Sequence, residues 1–301
     1  MRSNNSKNRA RPRLACEISA DRVLAARVDD RWDALEVYAG QDLPEGSVVP
    51  DLTEVNVLQR QALTHAIEDT LGKLGARNRD VTAVLPDAAV RVVLIDFETL
   101  PAKHEEAEAV VRFRLKKSLP FDMDKARVSY HAQSAGAGVK LVAAVALASV
   151  VEEYEAAFRD AGYSPGVVLP SMLGALGAVD ARTPTLVVKV DPSTTSIAIL
   201  DKEQLLLFRT LENTRGIHVT GEQLAEDVYP SVVFFQDTYR SSIERIYVAG
   251  MHDADSSVAA LSAQTGASNV KELVDSRRVG RNSGAAVPNS ELAAVFGALV
   301  D

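Results

Sequence analysis

A chain of 301 residues exceeds a single core of roughly 100–200 residues and calls for two packed domains. Its 47% hydrophobic and 25% charged residues are the balance of a folded globular protein, which excludes a disordered or collagenous chain. With 33 basic against 41 acidic residues the net charge is -8, so bulk nucleic-acid binding has no electrostatic footprint, and the lone Cys16 excludes an internal disulfide or a cysteine-built zinc site.

Residues 1–13 carry Arg2, Lys7, Arg9, Arg11 and Arg13 without an apolar stretch, so they read as a disordered basic tail rather than a signal peptide. Near an anionic leaflet each such charge would contribute about 1 kcal/mol, which admits peripheral inner-membrane contact. No run approaches the roughly 18 apolar residues of a membrane span. Three β-rich runs follow, Leu14 to Ala20, Arg22 to Val28 and Trp32 to Tyr38, and they predict an antiparallel meander. Val57 to Leu74 is amphipathic at helical spacing, with Leu58, Ala62, Ile67, Leu71 and Leu74 on one face and Gly75 as the stop. Val81 to Leu85 is a buried strand.

Next come a strand at Arg91 to Phe97, a helix at Lys103 to Lys117, strands at Arg127 to Ala132 and Lys140 to Ala146, and a helix at Val150 to Ala161. Together they predict an inserted α/β subdomain over about 89–165. Pro120 must end the first of these helices near Ser118. Strands at Thr185 to Val190, Ser196 to Leu200 and Leu205 to Thr210, a helix within His218 to Tyr239 and a strand at Arg245 to Ala249 then repeat the opening order. Each copy ends its first strand on an acid, Glu17 and Asp191. A duplicated βββαβ unit predicts an α/β, actin-like (ribonuclease H-like) two-domain fold with an inserted α/β subdomain, its first domain at 14–183 and a shortened second at 184–301. A chance likeness between two α/β stretches is the competing reading.

The stretch Arg112-Phe113-Arg114-Leu115-Lys116-Lys117-Ser118-Leu119-Pro120-Phe121-Asp122 resembles the Arg-Trp-x-x-x-x-x-Ile-Pro-Phe segment of PilM, the cytoplasmic type IV pilus assembly family. Order over Leu14 to Val300 supports the likeness, including Val188 to Ile197, the strand into Gly250, and the alanine-rich ending from Glu291 to Val300. The resemblance implies an actin-like fold, ATP with magnesium in the cleft, and capture of the cytoplasmic N-terminal peptide of a PilN-like membrane protein beside other pilus platform proteins. Arg112, Phe113, Arg114, Lys116, Lys117, Leu119 and Phe121 are the partner-binding candidates, although both phenylalanine rings are expected to pack inward. The peptide is expected between the first domain and the insert, near that helix.

By the same resemblance, Glu17, Ser19, Asp191, Ser193, Thr194, Thr195, Ser196 and Gly250 would face nucleotide. The sequence departs from the family at each loop. An Asp-x-Gly turn becomes Glu17-Ile18-Ser19-Ala20-Asp21, an Asp-Ile-Gly turn becomes Asp191-Pro192-Ser193, and of a glycine run only Gly250 stays before Met251, His252 and Asp253. Glycine lets backbone N–H groups approach phosphate, and proline offers none. Met251, His252 and Asp253 are expected on the adenine side. The segment between Gly216 and Arg245 holds one helix where the family inserts a lid.

His65, His104, His131, His218 and His252 show no metal-type spacing, and hydrolase-elbow, P-loop and dinucleotide motifs are missing. Glu105, Glu106 and Glu108 open the helix that ends in Arg112 and Arg114, a charge order that also stabilises the helix dipole. The leading expectation is a cytoplasmic adaptor, peripheral to the inner membrane, working by binding and without a cofactor. The alternative is an active ATPase or sugar-kinase-like phosphotransferase with Asp191 on a magnesium-bound water and Thr194 and Thr195 on phosphate. A relative of the type II secretion protein GspL is a third reading, though such chains continue into a membrane span.

Overall fold

The opening meander forms where alternating apolar residues predict it: β1 (Leu14–Ile18) pairs antiparallel with β2 (Arg22–Val28), and β2 with β3 (Leu35–Asp42). The computed structural model describes residues 11–135, 138–213, 219–251 and 254–300. Most of the expected tail therefore lies outside the described residues, as do His218, His252 and Asp253. The tail's last residues are held: Arg11 Nη2 donates to Ala298 O at 2.9 Å, and Arg13 Nη2 to Val28 O at 3.0 Å.

α1 (Arg60–Gly72) crosses back over the sheet and β4 (Asp80–Leu85) joins β1 in parallel. The helix buries Leu63, Ala66, Ile67 and Leu71, whereas Leu58, expected on that face, precedes the helix and is exposed. β5 (Arg91–Phe97), α2 (His104–Leu115), β6 (Ala126–Ala135) and β7 (Gly138–Leu147) form the insert, a three-stranded sheet in the order β5-β7-β6 with α2 on one face.

α3 (Ala148–Asp160), read from sequence as part of that insert, packs instead on the first domain. Its Val150, Tyr154, Ala157 and Phe158 join Leu63, Ile67 and Leu71 of α1 in one core. β8 (Ser164–Pro170), which sequence patterning missed, extends the first sheet beyond β4, and α4 (Ser171–Leu176) leads away from it.

The second unit repeats the plan with β9 (Thr185–Val190), β10 (Thr194–Asp201), β11 (Gln204–Glu212), α5 (Gly221–Tyr239) and β12 (Arg245–Ala249). α5 starts on a capping box between Thr220 and Gln223 and runs through the exposed Pro230. α6 (Ala254–Thr265) and β13 (Asn269–Glu272) complete it. The chain then returns to the first sheet: β14 (Val279–Asn282) pairs in parallel with β3, and α7 (Ala293–Leu299) packs on β1 and β2.

The sheets run β14-β3-β2-β1-β4-β8 and β11-β10-β9-β12-β13. The shared third-second-first-fourth order in both realises the duplication. α4 and α7 form the layer between the sheets, and their contact is backbone-close, since a Cβ on Gly297 would lie 2.4 Å from Gly174 O. α1 and α3 cover the outer face of the first sheet, α5 and α6 that of the second.

Candidate functional site

Strand alternation decides what faces the space between the sheets. In β1, Ala15 and Glu17 point inward while Leu14, Cys16 and Ile18 point to α1; in β9, Val187 and Lys189 point inward while Leu186, Val188 and Val190 point to α5. Glu17 and Lys189 consequently meet across the cleft, with Lys189 Nζ 3.3 Å from Glu17 Oε1. The same ammonium pairs with Asp191, just past β9. Lys189 is 2% exposed and Glu17 5%, so both charges are out of water.

Two hydroxyls and a third acid complete the cluster. Ser171 Oγ, at the start of α4, donates to Glu17 Oε1. Asp87, 2% exposed at the end of β4, accepts from Met172 N at 2.9 Å and from Ser196 Oγ of β10 at 2.7 Å, so it also ties the two halves. Three carboxylates surround one ammonium, and the titration of Asp87 and Glu17 reflects that imbalance. Burial, followed by the charge of Asp191, pushes Asp87 up to about 6. Burial likewise raises Glu17 against the pull of Lys189. For Lys189 burial acts downward, but Asp191, Glu17 and Asp87 outweigh it and hold the ammonium protonated above the ordinary lysine range.

Glu17 Oε2 and Asp191 Oδ2 have no protein partner among the described residues. Both residues line a cavity of about 40 Å³, room for a few water molecules. At its mouth Arg22 pairs with Glu291, joining the first hairpin to the segment before α7.

The sequence-predicted nucleotide residues come together in part. Glu17, Ser19, Asp191 and Gly250 line the cavity. The N–H groups of Ser19, Asp191 and Gly250 are engaged within the protein, whereas Thr194 Oγ1, like Glu17 Oε2 and Asp191 Oδ2, has no partner among the described residues. Ser19 N donates to Arg22 O at 3.0 Å and its hydroxyl to Asp21 at 2.6 Å, while Asp191 N donates to Thr194 O at 2.7 Å. Ser193 O accepts from Asn213 N. Thr194, Thr195 and Ser196 are buried in β10, Ser196 facing Asp87. Gly250, at φ 72°, donates its N–H to Ser290 O at 2.9 Å, and any side chain there would strike Val190 O. Met251, expected on the adenine side, is buried in the core beneath α5 because the turn at Gly250 directs it away from the cleft.

The partner candidates divide differently. Arg112 turns back on the insert, donating to Glu108 and to Met123 O at 2.9 Å each. Phe113, expected to pack inward, is 73% exposed, because Val111 and Leu115 occupy the buried face of α2. Arg114 lies over the Phe97 ring, Lys116 and Lys117 are exposed, and Leu119 and Phe121 pack against the insert's core.

A groove of about 240 Å³ does run between the first domain and the insert, flanked by Val168 and Leu169 of β8 and by Ser129, Ala144 and Ala146 of the insert sheet. α2 lies on the opposite face, since it packs on Leu141, Ala143 and Val145, the residues alternating with those of the groove. The helix and the groove are thus separated by the thickness of the insert sheet.

Sequence reasoning missed Lys189, Asp87 and Ser171. Lys189 was detectable, as the one charge in Thr-Leu-Val-Val-Lys-Val, an otherwise buried-strand pattern that a charge enters only with a partner. Asp87 and Ser171 carry no such signal, because their burial follows from long-range packing.

Two facing sheets of like strand order, with a charged cleft at the ends of their equivalent first strands, make this an actin-like ATPase fold, and solved proteins of that fold match the chain. Its form is PilM-like: a chain of the PilM-PilN type IV pilus biogenesis complex superposes with a TM-score of 0.78 at 20% identity, over 96% of this chain and 98% of that one. The ethanolamine utilization protein EutJ from Carboxydothermus hydrogenoformans matches with a TM-score of 0.53 at 12% identity, over 98% of this chain and 92% of that one. The cytoplasmic domain of EpsL, an inner membrane component of the type II secretion system of Vibrio cholerae, gives 0.50 at 12% identity, over 95% and 92%. No protein-family model matches the sequence, and a search of curated proteins found no match.

Proposed function

We propose that this chain is a PilM-like cytoplasmic adaptor of a type IV pilus or related secretion platform at the inner membrane, capturing the N-terminal tail of a PilN-like membrane protein. The observation that carries this reading is the apolar groove between β8 and the insert, in a fold shared with a chain of the PilM-PilN complex. β8 and β6 are both terminal strands of their sheets, so each offers an open edge to an extended peptide, while Val168, Leu169, Ala144 and Ala146 supply apolar contact. Likeness to EpsL, an inner membrane component, supports the platform setting. Among the described residues no helix is long and apolar enough to cross a membrane.

In this proposal nucleotide has no part. The internal hydrogen bonds of Ser19, Asp191 and Gly250 support that, because the N–H groups that would hold phosphate already have acceptors. Pull-down of candidate platform tails tests the adaptor reading. Ala144→Arg, which fills the groove, should abolish capture; Arg114→Glu with Lys116→Glu, on the other face of the insert, should leave it unchanged. Full capture by a folded Ala144→Arg protein would sink the proposed groove.

A further inference from the structure

The two acids at the ends of the equivalent strands are already joined by a positive charge that belongs to the protein. We propose that Lys189 is a built-in cation of the interdomain cleft, standing where a divalent metal would have to lie between Glu17 and Asp191 and tying the two domains together without nucleotide. The inference deepens the nucleotide-free half of the function proposed above and rests on it, but not on peptide docking.

Three observations carry it. Lys189 Nζ contacts acids from both sides of the cleft, 3.3 Å from Glu17 Oε1 in β1 and paired with Asp191 beyond β9. Its side chain is 2% exposed, with its stem in the packed layer between the sheets, so the ammonium has no solvent to retreat into if a metal arrives. Both acids line the small cavity, where Glu17 Oε2 and Asp191 Oδ2 lack a protein partner among the described residues. Two carboxylates plus water are a usual magnesium ligand set, and here the ammonium takes their charge. The residues present therefore do not fit the magnesium that would accompany ATP in the cleft. Their chemistry is that of an internal salt bridge whose cross-cleft member is Glu17.

Mn²⁺ is the probe. The wild-type melting temperature should be indifferent to millimolar Mn²⁺ or to EDTA, whereas Lys189→Met should gain about 5 °C or more with Mn²⁺ as the ion replaces the ammonium. Folding of Lys189→Met only in the presence of Mn²⁺ would be the same result in stronger form. The charge-matched Lys189→Met/Glu17→Met protein exchanges an ion pair for an apolar contact and should fold; its amides at residues 19–22, 191 and 193–196 should exchange at least about tenfold faster than in the wild type. A folded Lys189→Met protein that takes up no Mn²⁺ overturns the proposal, as does wild-type exchange in the double variant. Wild-type binding of ATP with magnesium, with both variant results as expected, would instead overturn the nucleotide-free reading alone.

Discussion

The side-chain amide of Gln133 clasps the backbone of Leu205: Nε2 donates to Leu205 O at 3.1 Å, and Oε1 accepts from Leu205 N at 2.8 Å. The insert is thereby fastened to the edge of the second sheet as though one side chain were a further strand residue. Leu94 and Val142 of the insert pack beside Phe208 at the same boundary. Gln133→Ala should lower unfolding free energy by about 1–2 kcal/mol, the net worth of two such bonds. Urea denaturation would measure it, and an unchanged midpoint would mean that the apolar contacts alone hold the insert.

Stability should depend on pH through Asp87. Its folded pKa of about 6 exceeds the ordinary 3.8, so the native state binds a proton that the unfolded chain does not between those values. The stabilising contribution is complete below the unfolded value and is lost as pH rises through the folded one. Acidifying from pH 7 to 5 should therefore stabilise the wild type relative to Asp87→Asn, with Glu17 contributing in the same direction in both proteins. Parallel melting curves of the two proteins across that range would contradict this.

The close crossing of α4 and α7 leaves no space for a methyl group. Gly297→Ala places a Cβ 2.4 Å from Gly174 O and should cost about 1–3 kcal/mol through forced separation of the helices. Gly72, at the end of α1, has nothing within 4 Å of its would-be Cβ, so Gly72→Ala should be neutral or stabilising by up to about 1 kcal/mol. Equal effects of the two substitutions in thermal melts would refute the steric account.

Arg11 and Arg13 were expected in a disordered tail. Arg11 binds Ala298 O and lies 5.3 Å from the Trp32 ring centre, and Arg13 reaches Val28 O. The Arg11→Ala/Arg13→Ala double variant should lose about 1–2 kcal/mol. A melting temperature identical to the wild type would restore the disordered-tail reading.

The meander, the duplicated strand order and α5 were legible because their side chains alternate or recur at one fixed spacing over a long enough run. β8 was not, since Ser164, Pro165 and Gly166 open it with turn residues and only its place beside β4 makes it a strand. Phe113 misled because aromatic residues usually pack inward, whereas its helix turns Val111 and Leu115 to the sheet. At the cleft, Glu17 and Asp191 were visible as acids ending equivalent strands. Their partner Lys189 was overlooked although its lone charge marked the buried strand, and Asp87 could not be placed, because its contact with Ser196 forms only once two sheets far apart in sequence face one another.

The return of β14 and α7 to the first sheet has a consequence for synthesis on the ribosome. Ala15, Ala26 and Val28 are covered in the folded protein by a layer that includes residues 293–299, a helix made long after them. The nascent amino-terminal half must wait with that face bare while the second half is translated, at about 5–20 residues per second, for something on the order of ten seconds. A chaperone that shields a sheet face over that interval would find its substrate there, and a chain stopped just before residue 293 would keep the same face bare.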